Sequence, residues 1–121
     1  MLPILTYHTV GDYKNVLPAG INSPIEVFRS HMDYLYDNEY QVVRLDQMVE
    51  HMIHGGKLGS KSIAITFDDG YEDNFTNAYP ILKKYGFPAT IFLTVKYVNG
   101  LWESEKAHGG KIKGLSKEQI L

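Results

Sequence analysis

The chain contains no cysteine. That excludes a disulfide framework and a thiolate metal site. It does not fix the compartment, since many exported bacterial proteins also lack cysteine. No apolar segment is long enough to span a bilayer. The opening Met1-Leu2-Pro3-Ile4-Leu5 lacks the charged start and long apolar stretch of a signal peptide. Either the protein stays inside the cell, or an export signal has been removed. There is no excess of charge of one sign: 12 basic against 14 acidic residues give a formal net charge of −2. Nothing in that balance favours nucleic acid or an anionic membrane surface as a partner. Internal repeats and low-complexity segments are absent too. What remains is 121 residues, 44% hydrophobic and 21% charged. That is enough for one modest soluble domain and too little for two.

Strand-like and helix-like segments alternate. Leu2 to Tyr7 reads as a first strand, and residues 8 to 22, rich in Gly, Asn, Pro and Asp, as a loop. Ser23-Pro24-Ile25-Glu26 predicts a helix start, with Ser23 as N-cap and Glu26 closing a capping box. Phe28, Met32 and Leu35 follow at helical spacing and predict a buried face. Gln41 to Arg44 is a brief second strand. Asp46 is expected to cap a short helix in which Leu45, Met48, Val49 and Met52 share a face, ended by Gly55-Gly56. Ser62 to Phe67 is a third strand. Asn74 to Tyr85 is a helix with Ala78, Ile81 and Leu82 inward; Pro80 predicts a kink, or a start near Asn77. Gly86 ends it. Ala89 to Thr94 is a fourth strand, residues 95 to 114 a polar loop, and Ser116 with Gln119 opens a last helical turn. This order predicts an α/β fold with parallel strands, as a sheet or a barrel. In such folds chemistry gathers at the carboxyl ends of the strands.

The stretch Ser62-Ile63-Ala64-Ile65-Thr66-Phe67-Asp68-Asp69-Gly70 ends a buried strand in two adjacent carboxylates. Neighbouring aspartates repel unless something positive lies beside them. Asp68-Asp69 is therefore the first candidate for metal binding and acid/base chemistry. A turn in which the aspartates merely cap the next helix is the plain alternative.

Thr66-Phe67-Asp68-Asp69-Gly70, followed by Tyr71-Glu72-Asp73-Asn74, resembles the first motif of the polysaccharide deacetylases. These are the NodB-homology enzymes, carbohydrate esterase family four. Tyr79 to Leu93 is similar to the family's next helix and strand. Leu5-Thr6-Tyr7-His8 and Phe28 to Val43 look like its poly-N-acetylglucosamine deacetylase branch. The resemblance implies a distorted, TIM-like (β/α) barrel, of which residues 1–121 would be the N-terminal part. It implies hydrolysis of N-acetyl groups on an N-acetylglucosamine-containing polysaccharide, in a secreted or cell-envelope setting. Asp69 would bind a divalent metal (zinc first, with cobalt or nickel as alternatives) together with two histidines. Asp68 would be general base on the metal-bound water, whose pKa the metal lowers. The tetrahedral oxyanion would be held by the metal and nearby donors. His8 and Tyr71 are candidate substrate-binding residues.

The departures carry information as well. The family's His-Ser/Thr-x-x-His motif does not occur in these 121 residues. The expectation is a domain cut before that motif, weak or inactive by itself, with exposed sheet edges that invite self-association. A non-catalytic domain that is inert or binds saccharide or a partner is the alternative reading. A phosphatase of the haloacid dehalogenase type would need Asp-x-Asp, which adjacent aspartates do not provide. Among the other histidines, His51 and His54 have a spacing able to clamp a metal but read first as an exposed helix face. His31 is expected to be partly buried and hydrogen-bonded, and His108 has no assigned role. Trp102 is either a stacking platform for a sugar ring or a loop anchor.

Overall fold

A computed structural model describes residues 2–13, 17, 20–101 and 112–121. Trp102 and His108 lie outside the described residues. The central element is β5 (Ser62–Asp69), preceded by β1 (Ile4–Tyr7) and β4 (Gln41–Val43) and followed by β6 (Thr90–Leu93). All three pair with β5 in parallel. Ala64 faces both Ile4 and Val43, and Thr66 faces both Thr6 and Thr90. A strand has two edges, so β1 takes one of them throughout. On the other, β4 lies along the first half of β5 and β6 along the second. The fold is α/β with parallel strands, as the alternating segments predicted.

The side-chain period of two splits β5 into two faces. Ile63, Ile65 and Phe67 are at most 4% exposed and join Tyr7, Phe28, Met32, Leu35, Ala78, Ile81 and Leu82 in the main core. Helix α1 (Ile25–Asp37) supplies Phe28, Met32 and Leu35 to that core at the expected spacing. Ala64, on the opposite face, packs with Val43 and with Met48 of α2 (Leu45–His54). Each large apolar side chain so buried contributes about 1.5–3 kcal/mol.

Several local expectations need correction. The loop after β1 holds a small parallel ladder, β2 (Thr9–Val10) on β3 (Asn22–Ser23). The fully buried Thr9 hydroxyl donates to the Asn22 amide oxygen at 2.9 Å, and that amide donates to the Gly11 carbonyl at 2.9 Å. Ser23 is thereby held in a strand, and Pro24 is the N-cap of α1 with no side-chain cap. Arg44, not Asp46, is the N-cap of α2, with the Gln47 side chain accepting from its N–H at 3.0 Å. Only Met48 of the expected α2 face is buried; Met52 is 73% exposed.

Pro80 acts much as its chemistry requires. It has no N–H to give the carbonyl four residues back. Just before it, residues Asn74–Ala78 form a π-turn in which the Tyr79 N–H reaches the Asn74 carbonyl five residues back. Helix α3 (Tyr79–Tyr85) then runs to Gly86, whose φ of 67° closes it as expected. The last turn, α4 (Lys117–Ile120), has the predicted capping box: Ser116 Oγ accepts from Gln119 N at 3.2 Å, and Gln119 Oε1 accepts from Ser116 N at 2.8 Å.

Candidate active site

The two aspartates are the last residues of β5, paired with Phe92 and Leu93 of β6. They are partly exposed, whereas the six residues before them are buried. The strand therefore delivers both carboxylates from the core to the carboxyl end of the sheet. Period two continues the row Ser62, Ala64, Thr66 into Asp68. Asp69 breaks the pattern, because its φ is 75°. That left-handed conformation costs a non-glycine residue about 1–3 kcal/mol and clusters at functional sites. It is held by Thr94 N donating to the Asp69 carbonyl at 3.2 Å and Leu115 N to the Gly70 carbonyl at 2.9 Å. Gly70 has a φ of 73°, and a Cβ there would come within 2.7 Å of the Leu93 side chain. Glycine is therefore required both by conformation and by the close passage of β6.

His8 reaches this end from the neighbouring strand. The β1–β5 register ends at Tyr7 opposite Phe67. One further step would set His8 opposite Asp68, and His8 Nε2 does lie 3.8 Å from Asp68 Oδ2. Both side chains are open to solvent, at 32% and 40%. At that separation a single water can bridge them. A candidate base thus stands beside a side chain able to donate or accept a proton.

Tyr71 is 5% exposed, and its backbone bridges Gly114 in antiparallel fashion. His31 is exposed, not partly buried, yet it is hydrogen-bonded as expected: its Nδ1 lies 2.9 Å from the Tyr7 hydroxyl. Tyr7 packs on Phe28 and Phe67, and burial pushes its hydroxyl up to about 12. On α2, His54 approaches Glu50 at 3.9 Å and His51 contacts the Gly56 carbonyl. Neither joins the aspartates. Among the described residues no group of three or more His, Asp or Glu could hold a metal ion. Catalytic divalent sites use about three protein ligands. Taken alone, then, the described residues do not fit a complete metal centre.

The sequence reading overlooked a polar cluster that reaches the backbone of His8 and Val10. Asp73 and Asn74 are 4% and 2% exposed. Asn74 Nδ2 donates to the His8 carbonyl at 2.7 Å and to Asp73 Oδ1 at 3.0 Å. Asn77 Nδ2 donates to the Val10 carbonyl at 2.7 Å. Burial pushes the Asp73 carboxyl up to about 6, against hydrogen bonds from the Val10 backbone, Tyr13 and Asn74. The signal was available. Asn74, Ala78, Ile81 and Leu82 share one helical stripe, and an amide in an apolar stripe must find buried partners.

Comparison with known proteins identifies the family. The family model for polysaccharide deacetylase matches residues 55–109, which includes the aspartate pair. YxkH of Bacillus subtilis, which carries a polysaccharide deacetylase name, is 40% identical over 97 residues, covering 80% of this chain and 33% of YxkH. The chain belongs to the polysaccharide deacetylase family. A poly-β-1,6-N-acetyl-D-glucosamine N-deacetylase of Staphylococcus epidermidis is 32% identical over 93 residues, 77% of this chain and 30% of that protein. Among solved structures, IcaB from Ammonifex degensii superposes with a TM-score of 0.81 at 26% identity, over 98% of this chain and 46% of IcaB. The chain thus spans about a third of those two relatives and under half of IcaB. No helix among the described residues is long and apolar enough to cross a membrane.

Proposed function

We propose that these residues form the N-terminal part of a polysaccharide deacetylase domain that removes acetyl groups from an N-acetylglucosamine-containing polymer at the cell envelope or outside the cell. The observation that carries this reading is the pairing of Asp68 with His8 at the carboxyl end of the sheet, beside the strained turn at Asp69. Asp68, partly exposed, takes the proton from a water attacking the acetamide carbon. His8, a third exposed, borders the substrate and can bond its polar groups. Tyr71, the other substrate-binding candidate, is 5% exposed and offers a sugar little surface. The products are acetate and a free amine on the sugar.

Asp69 is the proposed ligand for a divalent metal, zinc before cobalt or nickel. The ligands that complete its set come from outside the described residues. By themselves, the 121 residues are therefore proposed to release acetate slowly or not at all.

The test is acetate release from poly-N-acetylglucosamine and chitooligosaccharides. Asp68→Asn in the full-length protein is expected to lower kcat by about 10²–10⁴-fold, the usual contribution of a general base. Full activity in that variant would overturn the assignment of Asp68. Strong metal-dependent activity from the 121 residues would overturn the incomplete-site reading instead.

A further inference from the structure

His8 leaves the sheet at the point where β1 stops pairing. Its carbonyl follows the last β1–β5 register pair, Tyr7 with Phe67. A backbone carbonyl that leaves a ladder must find another donor if it is not to lose a hydrogen bond. The donor is a side chain 66 residues away, Asn74 Nδ2 at 2.7 Å. Asn74 opens the π-turn five residues after Asp69, so the segment that follows the aspartate pair in the chain is tied to the backbone of His8. The same amide nitrogen also binds Asp73 Oδ1, while Asn74 Oδ1 has no partner among the described residues. Both bonds made by this amide are donations. Three residues on, Asn77 repeats the arrangement on the Val10 carbonyl.

We propose that Asn74 is a positioning residue: by donating to the His8 carbonyl it holds the His8 ring beside Asp68 and sets the geometry of the base at the substrate. The proposal rests on the reading of Asp68 and His8 given above. Asn74 touches neither substrate nor the Asp68 carboxylate in this role; it acts through the backbone of His8. Without its donor the segment His8–Val10 keeps its bond to Asn77 and its ladder to β3. The loss therefore falls on the placement of His8 more than on the fold.

The experiment is a double-mutant cycle in the full-length protein, with acetate release from chitooligosaccharides as one readout. Asn74→Leu keeps the number and branching of side-chain heavy atoms and removes both donors; Asn74→Ala serves if the bulkier leucine variant fails to fold. Either is expected to lower kcat about ten-fold with KM changed less than about two-fold. In a His8→Ala background the same substitution should cost less than about two-fold, because its effect is already lost. Equal costs in both backgrounds would overturn the proposal. The second readout is the NMR ring resonances of the histidines. Those of His8 should shift in Asn74→Leu, while those of His31, His51 and His54 stay in place. An unmoved His8 signal in a folded variant would also overturn it. If His8→Ala and Asp68→Asn both leave kcat unchanged, the functional reading fails, and the ring resonances alone decide whether Asn74 positions His8.

Discussion

β5 and β6 are both short, parallel and rich in isoleucine and phenylalanine, yet they occupy opposite environments. In β5, Ile63, Ala64, Ile65 and Phe67 are 0–4% exposed. In β6, Ile91, Phe92 and Leu93 are 37–52% exposed. Residue type does not separate them. β5 has strands on both edges, and residues of α1 and α3 pack on one of its faces and Met48 of α2 on the other. Among the described strands β6 pairs with β5 alone, and its apolar side chains stay open to water. Parallel strands are ordinarily buried on both faces, so β6 is the half-finished counterpart of β5. The site lies where they meet, with Asp68 and Asp69 in register with Phe92 and Leu93.

The contrast can be broken directly by truncating one side chain in each strand. Phe67→Ala should cost about 3–5 kcal/mol, as expected for a phenylalanine in a packed core. Phe92→Ala should cost less than about 1 kcal/mol, because half of its surface is already in water. Urea denaturation of the two variants measures the difference. Equal costs would mean that β6 is as buried in solution as β5.

Asp73, four residues past the end of β5, gives a second handle. Its folded carboxyl is raised to about 6 by burial, from an ordinary 3.8. The folded chain then holds a proton that the unfolded chain gives up. Stability from this group is complete below about pH 4 and is lost as pH rises to about 6, by about 3 kcal/mol in all. Asp73→Asn should flatten that stretch of the stability curve, as denaturation at pH 4, 5, 6 and 7 would reveal. An unchanged slope would place the titration elsewhere.

The smallest expected effect on stability belongs to the β6 edge. Phe92→Lys should leave folding within about 0.5 kcal/mol while reducing self-association of the 121 residues, since a charge on an exposed strand blocks edge-to-edge pairing. Sedimentation at increasing concentration would detect it. Association unaffected by the lysine would assign it to another surface.

Legibility in the sequence followed the reach of each interaction. The α1 face, the Gly86 stop and the Ser116 capping box depend on residues within four or five positions, and all three read correctly. The β2–β3 ladder did not, because Thr9 and Asn22 are joined across a loop whose composition looks irregular. The cap at Ser23 failed for the same reason: that ladder had claimed its backbone. The candidate site divided in the same way. Asp68 and Asp69 were visible as carboxylates ending an apolar run, while Asn74 was passed over as one residue of a helix start.

The sequence by itself determined the alternation of strands and helices, the aspartate pair at the end of β5, and the glycine that must follow it. These depend on periodicity, side-chain chemistry and the steric limits of φ. Only the tertiary structure decided that β4 and β6 share one edge of β5, that His8 stands 3.8 Å from Asp68, and that Asn74 holds His8 by its carbonyl. Each of these joins segments far apart in the chain. Register and packing choose such partners, and no local pattern encodes them.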